Sequence, residues 1–377
     1  MSWKDHLREG MDALTSLRLF DYGAARGIAR LDCNELALPP TPGEMEAFTN
    51  ALRGVEIHRY PDVSGVPLRE ALAERWGVEP DEILLGNGSV ETLAMLMTAF
   101  GAAKSGAPAK VLYPDPSFPY YQVVARTHGV VPLPIPLDAR FQLDEPRLAE
   151  AIDRDRPALA IFASPNNPTG NRFHPQVIER LARRMDAAFV VDEAYAEFDG
   201  KTLLSRVRDI PGLFVTRSLS KIGLAGLRLG AVVAAREAIA ELDKVRLPWN
   251  VSGVSIALGC AALASPGLLE RRVRAVVQLR GQLERSLQEI PGLVVYPSDA
   301  NFLLVRVPSD AAEAFRALLD DGVLVKDVSR PGLLERCLRI TVGTSSENER
   351  CVRALRKHLS IGEPLGRDRQ MVRNRRM

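Results

Sequence analysis

The chain has 377 residues, too many for one minimal domain and enough for a large domain with a smaller partner. Hydrophobic residues make up 46% and charged residues 25%, the mix of a water-soluble globular protein. With 49 Lys+Arg against 47 Asp+Glu the formal net charge is +2, and that excess sits at the C-terminal end, so a basic nucleic-acid-binding body is excluded.

Met1 to Phe20 breaks every apolar run with a charge, so it does not read as a secretory signal, and a cytoplasmic protein is expected. From about residue 80 to 235, short β-type runs alternate with helical patterns. The runs are Glu82–Leu85, Lys110–Tyr113, Val130–Ile135, Ala158–Ala163, Ala188–Asp192, Leu213–Arg217 and Gly230–Ala234. Amphipathic stretches such as Glu91–Phe100 and Gln176–Met185 lie between them. This alternation predicts an α/β fold with a mostly parallel central sheet covered on both faces.

Leu247 to Leu269 holds 23 residues without a charge. Its prolines, serines and small residues predict a buried helix rather than a membrane span. A charged helix follows over Glu270–Glu289 and ends at Pro291-Gly292. Strands at Leu293–Tyr296, Asn301–Val307, Val323–Val328 and Cys337–Val342, with a helix near Ala311–Asp321, predict a second, smaller α+β domain. The expected organisation is an N-terminal arm with part of the small domain (1–45), a large domain (46–250), a small domain (251–360) and a tail (361–377). The tail carries Arg367, Arg369, Arg373, Arg375 and Arg376 against Glu363 and Asp368, and reads as a solvated, disordered end. Cys33, Cys260, Cys337 and Cys351 form neither a disulfide framework nor a zinc-ligand pattern, and no HExxH is present, so no metal is expected.

Four segments carry chemistry. Ser218-Leu219-Ser220-Lys221 follows a predicted strand, with Arg228 seven residues on from the lysine. A lysine there reaches a cleft; desolvated near cations it becomes a nucleophile, and the hydroxyls with the arginine make a phosphate nest. A plain surface lysine is the alternative. Asp192-Glu193-Ala194-Tyr195 closes another strand, bringing a carboxylate to the edge where open α/β sheets bind ligands. A buried carboxylate wants a cation, such as a protonated ring nitrogen, although a helix N-cap reads the same way. Ser164-Pro165-Asn166-Asn167-Pro168-Thr169-Gly170 is either a rigid mount for an amide donor or a tight turn. Gly86-Asn87-Gly88-Ser89 joins strand to helix, where free N–H groups bind phosphate; it is neither a GxGxxG nor a Walker A.

Taken together and in order, these segments resemble the fold-type I pyridoxal phosphate (PLP) aminotransferases. More narrowly, they resemble the class II branch that contains the histidinol-phosphate aminotransferases. The resemblance runs from about Leu31 to Leu355 and includes Leu338-Arg339-Ile340-Thr341-Val342-Gly343-Thr344. It implies that Lys221 binds PLP covalently, Asp192 pairs with the pyridine nitrogen, and Tyr195 and Asn167 bond the ring's phenolic oxygen. Phe118 would stack on the ring, with an ordinary core phenylalanine as the alternative. Gly88, Ser89 and Val90 would hold the phosphate through their backbone, with Ser218, Ser220 and Arg228. Tyr60 would reach the phosphate of a neighbouring subunit, which makes a homodimer the expected unit. Arg339 would grip the anionic end of the substrate, while Asn34 and Tyr22 match a segment that folds over it.

Three positions depart from the pattern. Val90 stands where an acidic residue is usual, Leu36 ends a segment that is more typically Asn-Glu-Asn, and Lys326 replaces a second substrate arginine. Lysine keeps a charge for a substrate phosphate but lacks the bidentate fork. The resemblance implies amino transfer between L-histidinol phosphate and 2-oxoglutarate. An aromatic aminotransferase or a threonine-phosphate-type decarboxylase would share the same cofactor contacts. A PLP-binding regulator would carry a DNA-binding module ahead of the matching region, and only about 30 residues precede it here.

Overall fold

The computed structural model describes residues 27–102 and 106–361; Tyr22 and the basic tail from 362 onward lie outside them. In chain order the elements begin with β1 (Ala29–Leu31), α1 (Pro42–Arg53) and α2 (Val66–Trp76). An alternating region follows: β2 (Ile83–Asn87), α3 (Ser89–Phe100), β3 (Lys110–Asp115), α4 (Tyr120–Thr127), β4 (Val131–Pro136), α5 (Glu145–Asp155), β5 (Leu159–Ala163), α6 (Pro175–Arg184), β6 (Ala188–Asp192), β7 (Leu213–Ser218) and β8 (Leu229–Val233). Next come α7 (Arg236–Asp243), α8 (Gly253–Ala264) and α9 (Leu268–Gln288). The chain closes with β9 (Val294–Val295), β10 (Phe302–Arg306), α10 (Ala311–Asp320), β11 (Val323–Asp327), β12 (Cys337–Thr341) and α11 (Ser345–Ile361).

The alternating region forms a seven-stranded sheet in the order β2-β8-β7-β6-β5-β3-β4. β8 alone runs opposite to the other six strands. β5, β6 and β8 are buried along their whole length, which is why they read as continuous apolar runs without alternation. Two apolar clusters cover the two faces. Val190, Phe214 and Tyr121 belong to one, and Val191, Val215 and Phe189 to the other.

A second sheet has the order β1-β11-β12-β10-β9, so the N-terminal strand completes a sheet otherwise built from the C-terminal third. Nothing in β1's three residues signals a strand by itself; parallel pairing with β11 makes it one.

The uncharged stretch Leu247–Leu269 differs from the buried helix expected of it. The uncharged stretch is a helix only over Gly253–Ala264, capped by Ser252 and ended before the Pro266-Gly267 break. It packs on α1 and α2 and is half-buried in this chain rather than enclosed. Among the described residues no single helix is long and apolar enough to cross a membrane, and α8 and α9 meet at a 78° bend.

Candidate active site

The sheet topology gathers the chemistry at one edge. Asn167 follows β5, Asp192 ends β6, Ser218 ends β7 with Ser220 and Lys221 next, and Gly88 follows β2. Because β8 runs the opposite way, Arg228 at its start arrives at the same edge.

An anion cup forms where β2 meets α3. No side chain caps the start of α3 at Gly88, leaving its first N–H groups for a ligand. Gly88 has φ +81°, and a Cβ there would meet Arg228 Nη2 at 2.4 Å. A Cβ on Gly230 would lie 2.4 Å from the Ser89 nitrogen, so glycine at both positions lets guanidinium and strand close on the helix start. Arg228 Nη1 donates to Ser220 Oγ at 3.2 Å, and Ser220 N–H donates to Ser218 Oγ at 3.3 Å. Val90 keeps its backbone place in the first turn of α3.

Asp192 is buried, and Tyr121 donates its hydroxyl to Oδ2 at 2.8 Å while the Ala194 N–H donates to Oδ1 at 3.1 Å. Burial pushes this carboxyl above its usual range, against those bonds and the more distant charge of Lys221. No cationic side chain forms an ion pair with it among the described residues. Tyr121 is not among the residues the sequence motifs single out, although it lies only three residues past Phe118. Its signal is a fully buried ring that carries a hydroxyl.

Lys221 Nζ donates to the Cys33 carbonyl at 3.3 Å and lies 5.9 Å from the Tyr195 ring centroid. Burial, and then the positive charge of Arg339, push its pKa down to about 8. The Tyr195 oxygen accepts from Asn34 Nδ2 at 2.9 Å and from Asn167 Nδ2 at 3.4 Å. Burial raises the Tyr195 phenol, opposed by Arg339 and by the Asn34 bond. Asn34 is itself fixed from three directions, by Thr341 Oγ1 at both its N–H and its Oδ1 (3.0 Å each) and by Asn301 Nδ2 at its carbonyl (2.9 Å). Arg339, on β12, donates from Nη1 to Asn167 Oδ1 at 2.7 Å and from Nη2 to the Asp32 carbonyl.

The remaining positions stand at the rim. Phe118 is half-buried and edge-on to Tyr121, with ring centroids 5.5 Å apart. Lys326 is exposed on β11 in register with Arg339, so both side chains leave the same face of the small sheet. Tyr60 is outside the cluster, 77% exposed, with its ring stacked on Trp249 at 4.3 Å.

The arrangement joins an anion cup, a buried carboxylate without a counter-charge and a lysine of lowered pKa. The family model of class I and II aminotransferases matches residues 26–355. Histidinol-phosphate aminotransferase 2 of Nitrosococcus oceani is 39% identical over 353 residues, covering 93% of this chain and 96% of the relative. The histidinol-phosphate aminotransferase of Aquifex aeolicus is 36% identical over 331 residues, covering 88% and 92%. The crystal structure of histidinol-phosphate aminotransferase from Sinorhizobium meliloti, in complex with pyridoxal-5'-phosphate, superposes with a TM-score of 0.81 at 26% identity, covering 92% of this chain and 96% of that one. By the family match and by these relatives alike, the chain belongs to the class I and II aminotransferases.

Proposed function

We propose that the protein is a PLP-dependent aminotransferase that exchanges the amino group between L-histidinol phosphate and 2-oxoglutarate, giving imidazole-acetol phosphate and L-glutamate. Identity of up to 39% with histidinol-phosphate aminotransferases over nearly the whole chain carries the substrate assignment.

The residues fit the cofactor. Asp192 is a buried carboxylate whose charge a protonated pyridine nitrogen would balance, and the cup at Gly88, Ser89, Val90, Ser218, Ser220 and Arg228 has the donors a phosphate monoester needs. Bound PLP supplies an electron sink for the pair left behind when the substrate Cα–H bond breaks. Lys221 Nζ, whose pKa of about 8 makes the neutral amine accessible near physiological pH, is both the attachment point and the base that takes the Cα proton. Asn167 and Tyr195 orient the reacting end of the site, and Asn34 holds the Tyr195 hydroxyl in place. Phe118, edge-on to Tyr121, would cover the ring face. Arg339 binds the anionic group of each substrate with its planar fork, and Lys326 adds a point charge for the phosphate.

We further infer a cytoplasmic homodimer in which Tyr60 serves the neighbouring subunit. Its exposed ring, stacked on Trp249 away from this chain's own cup, supports that reading.

The test is absorbance of the PLP-loaded chain mixed separately with L-histidinol phosphate, L-glutamate, L-phenylalanine and threonine phosphate. Histidinol phosphate should remove the visible band and 2-oxoglutarate should restore it. Bleaching by phenylalanine and glutamate alone would assign an aromatic aminotransferase, and CO₂ release from threonine phosphate a decarboxylase.

A further inference from the structure

Asp192 and Glu193 are consecutive, and the two-residue period of a strand sends them to opposite faces of the seven-stranded sheet. Asp192 follows Val190 toward the cluster that contains Tyr121, and Glu193 follows Val191 toward the other cluster. Strand β7 repeats the arrangement, so Ser218 follows Phe214 to the Asp192 face and Arg217 follows Val215 to the Glu193 face. The two strands are in parallel register with Asp192 beside Thr216, and the Glu193 N–H extends that ladder by donating to the Thr216 carbonyl at 2.9 Å.

On the sheet face opposite Asp192, therefore, lies a buried ion pair that the proposed reaction does not use. Glu193 is 2% exposed and Arg217 7% exposed, and Arg217 Nη1 donates to Glu193 Oε2 at 3.2 Å. The same carboxylate accepts from Thr202 Oγ1 and from the Leu203 N–H, each at 2.6 Å. Arg217 also approaches Glu197 at 3.6 Å and lies over the Trp76 ring at 5.4 Å. A carboxylate with three donors and a guanidinium held on two sides have little freedom to move apart.

We propose that the Glu193–Arg217 pair is a positioning staple that fixes the span between Asp192 and the Ser218–Ser220 hydroxyls, and so matches the site to both ends of one rigid cofactor. The proposal rests on the PLP reading above. PLP offers a ring nitrogen at one end and a phosphate at the other, and neighbouring strand ends would read one each. Splaying β6 from β7 by a fraction of an ångström would leave one end out of register, whereas a ligand that lacks the phosphate would ride with Asp192 alone.

The experiment titrates full-length wild type, E193Q, R217M, R217K and E193Q/R217M, freed of cofactor by dialysis, with PLP and with pyridoxal. PLP should bind roughly tenfold more weakly to E193Q and R217M, with R217K between them and wild type, and the double variant should be no weaker than the weaker single. Pyridoxal affinity should stay within about twofold of wild type throughout. Equal losses for PLP and pyridoxal, or unchanged PLP affinity in variants with wild-type circular dichroism, would overturn the staple. If E193Q and R217M do not fold, R217K decides by the same comparison. Absence of any visible band in wild type with PLP would overturn the cofactor reading itself and the staple with it.

Discussion

Arg339 and Asn167 meet at 2.7 Å although they belong to different sheets, Arg339 to β12 of the small sheet and Asn167 to the loop after β5 of the large one. The guanidinium is thereby held before any substrate arrives, with its other arm on the Asp32 carbonyl. Preorganisation of this kind lowers the entropy cost of gripping an anion. Under the proposed function it would also tie the substrate's charged end to the amide that orients the reacting end.

Arg339→Ala should lower kcat/KM about a hundredfold for both amino donor and acceptor, because a buried charge-assisted contact is lost in each half-reaction. PLP should still bind, since Arg339 touches none of the cup residues in this structure. Steady-state kinetics alongside the visible spectrum separate the two effects. Arg339→Lys should recover only part of the loss, for want of the fork.

In the cofactor-free chain, Lys221 should react with amine-modifying reagents with a midpoint near pH 8. Burial destabilises its charged form, and Arg339 adds like-charge repulsion. Removing Arg339 should therefore move the midpoint upward, read by mass spectrometry of the labelled peptide across a pH series. The folded pKa lies below the ordinary lysine value, so its cost to stability is present below about pH 8 and is relieved as pH rises. Lys221→Ala should abolish turnover while leaving noncovalent PLP binding measurable.

Tyr121→Phe should weaken PLP binding roughly tenfold by removing one hydrogen bond to a buried carboxylate. That bond favours the charged form of Asp192, so its loss adds to the upward push of burial. Protonated Asp192 no longer balances a cationic ring nitrogen. The deficit should therefore deepen as pH falls, measured by fluorescence titration at several pH values.

Arg272→Met should destabilise the chain by about 3 kcal/mol in denaturant unfolding, the usual consequence of stranding one half of a buried pair. Arg272 bonds Glu44 at 2.8 Å and the Gly223 carbonyl at 3.3 Å, linking α1 and α9 to the turn just after Lys221. Burial opposes ionisation of Glu44, but the Thr41 N–H and Arg272 outweigh it and hold the carboxyl below its ordinary range. A lowered carboxyl pKa contributes stability above the ordinary range and loses it as pH falls through the native value. Wild type and variant should accordingly converge in acid.

The elements of the alternating region fall within a residue or two of where the apolar runs place them, and β6 has the same bounds, Ala188–Asp192. Period and run length are local properties, and strands buried on both faces announce themselves by continuous apolar residues. For the same reason the loop motifs at strand ends were legible as candidate site residues. The half-buried state of α8, by contrast, depends on neighbours that no window of sequence contains.

Local sequence was enough for the fold class and for the candidate motifs at the strand ends, because each is encoded within a few neighbouring positions. Tertiary structure alone decided that Tyr121 holds Asp192, that Arg339 joins Asn167 to the Asp32 carbonyl, and that Glu193 and Arg217 pair on the sheet face opposite Asp192. These contacts join residues 24 to 307 positions apart, and burial makes such pairings both costly to leave unmade and impossible to read from local pattern.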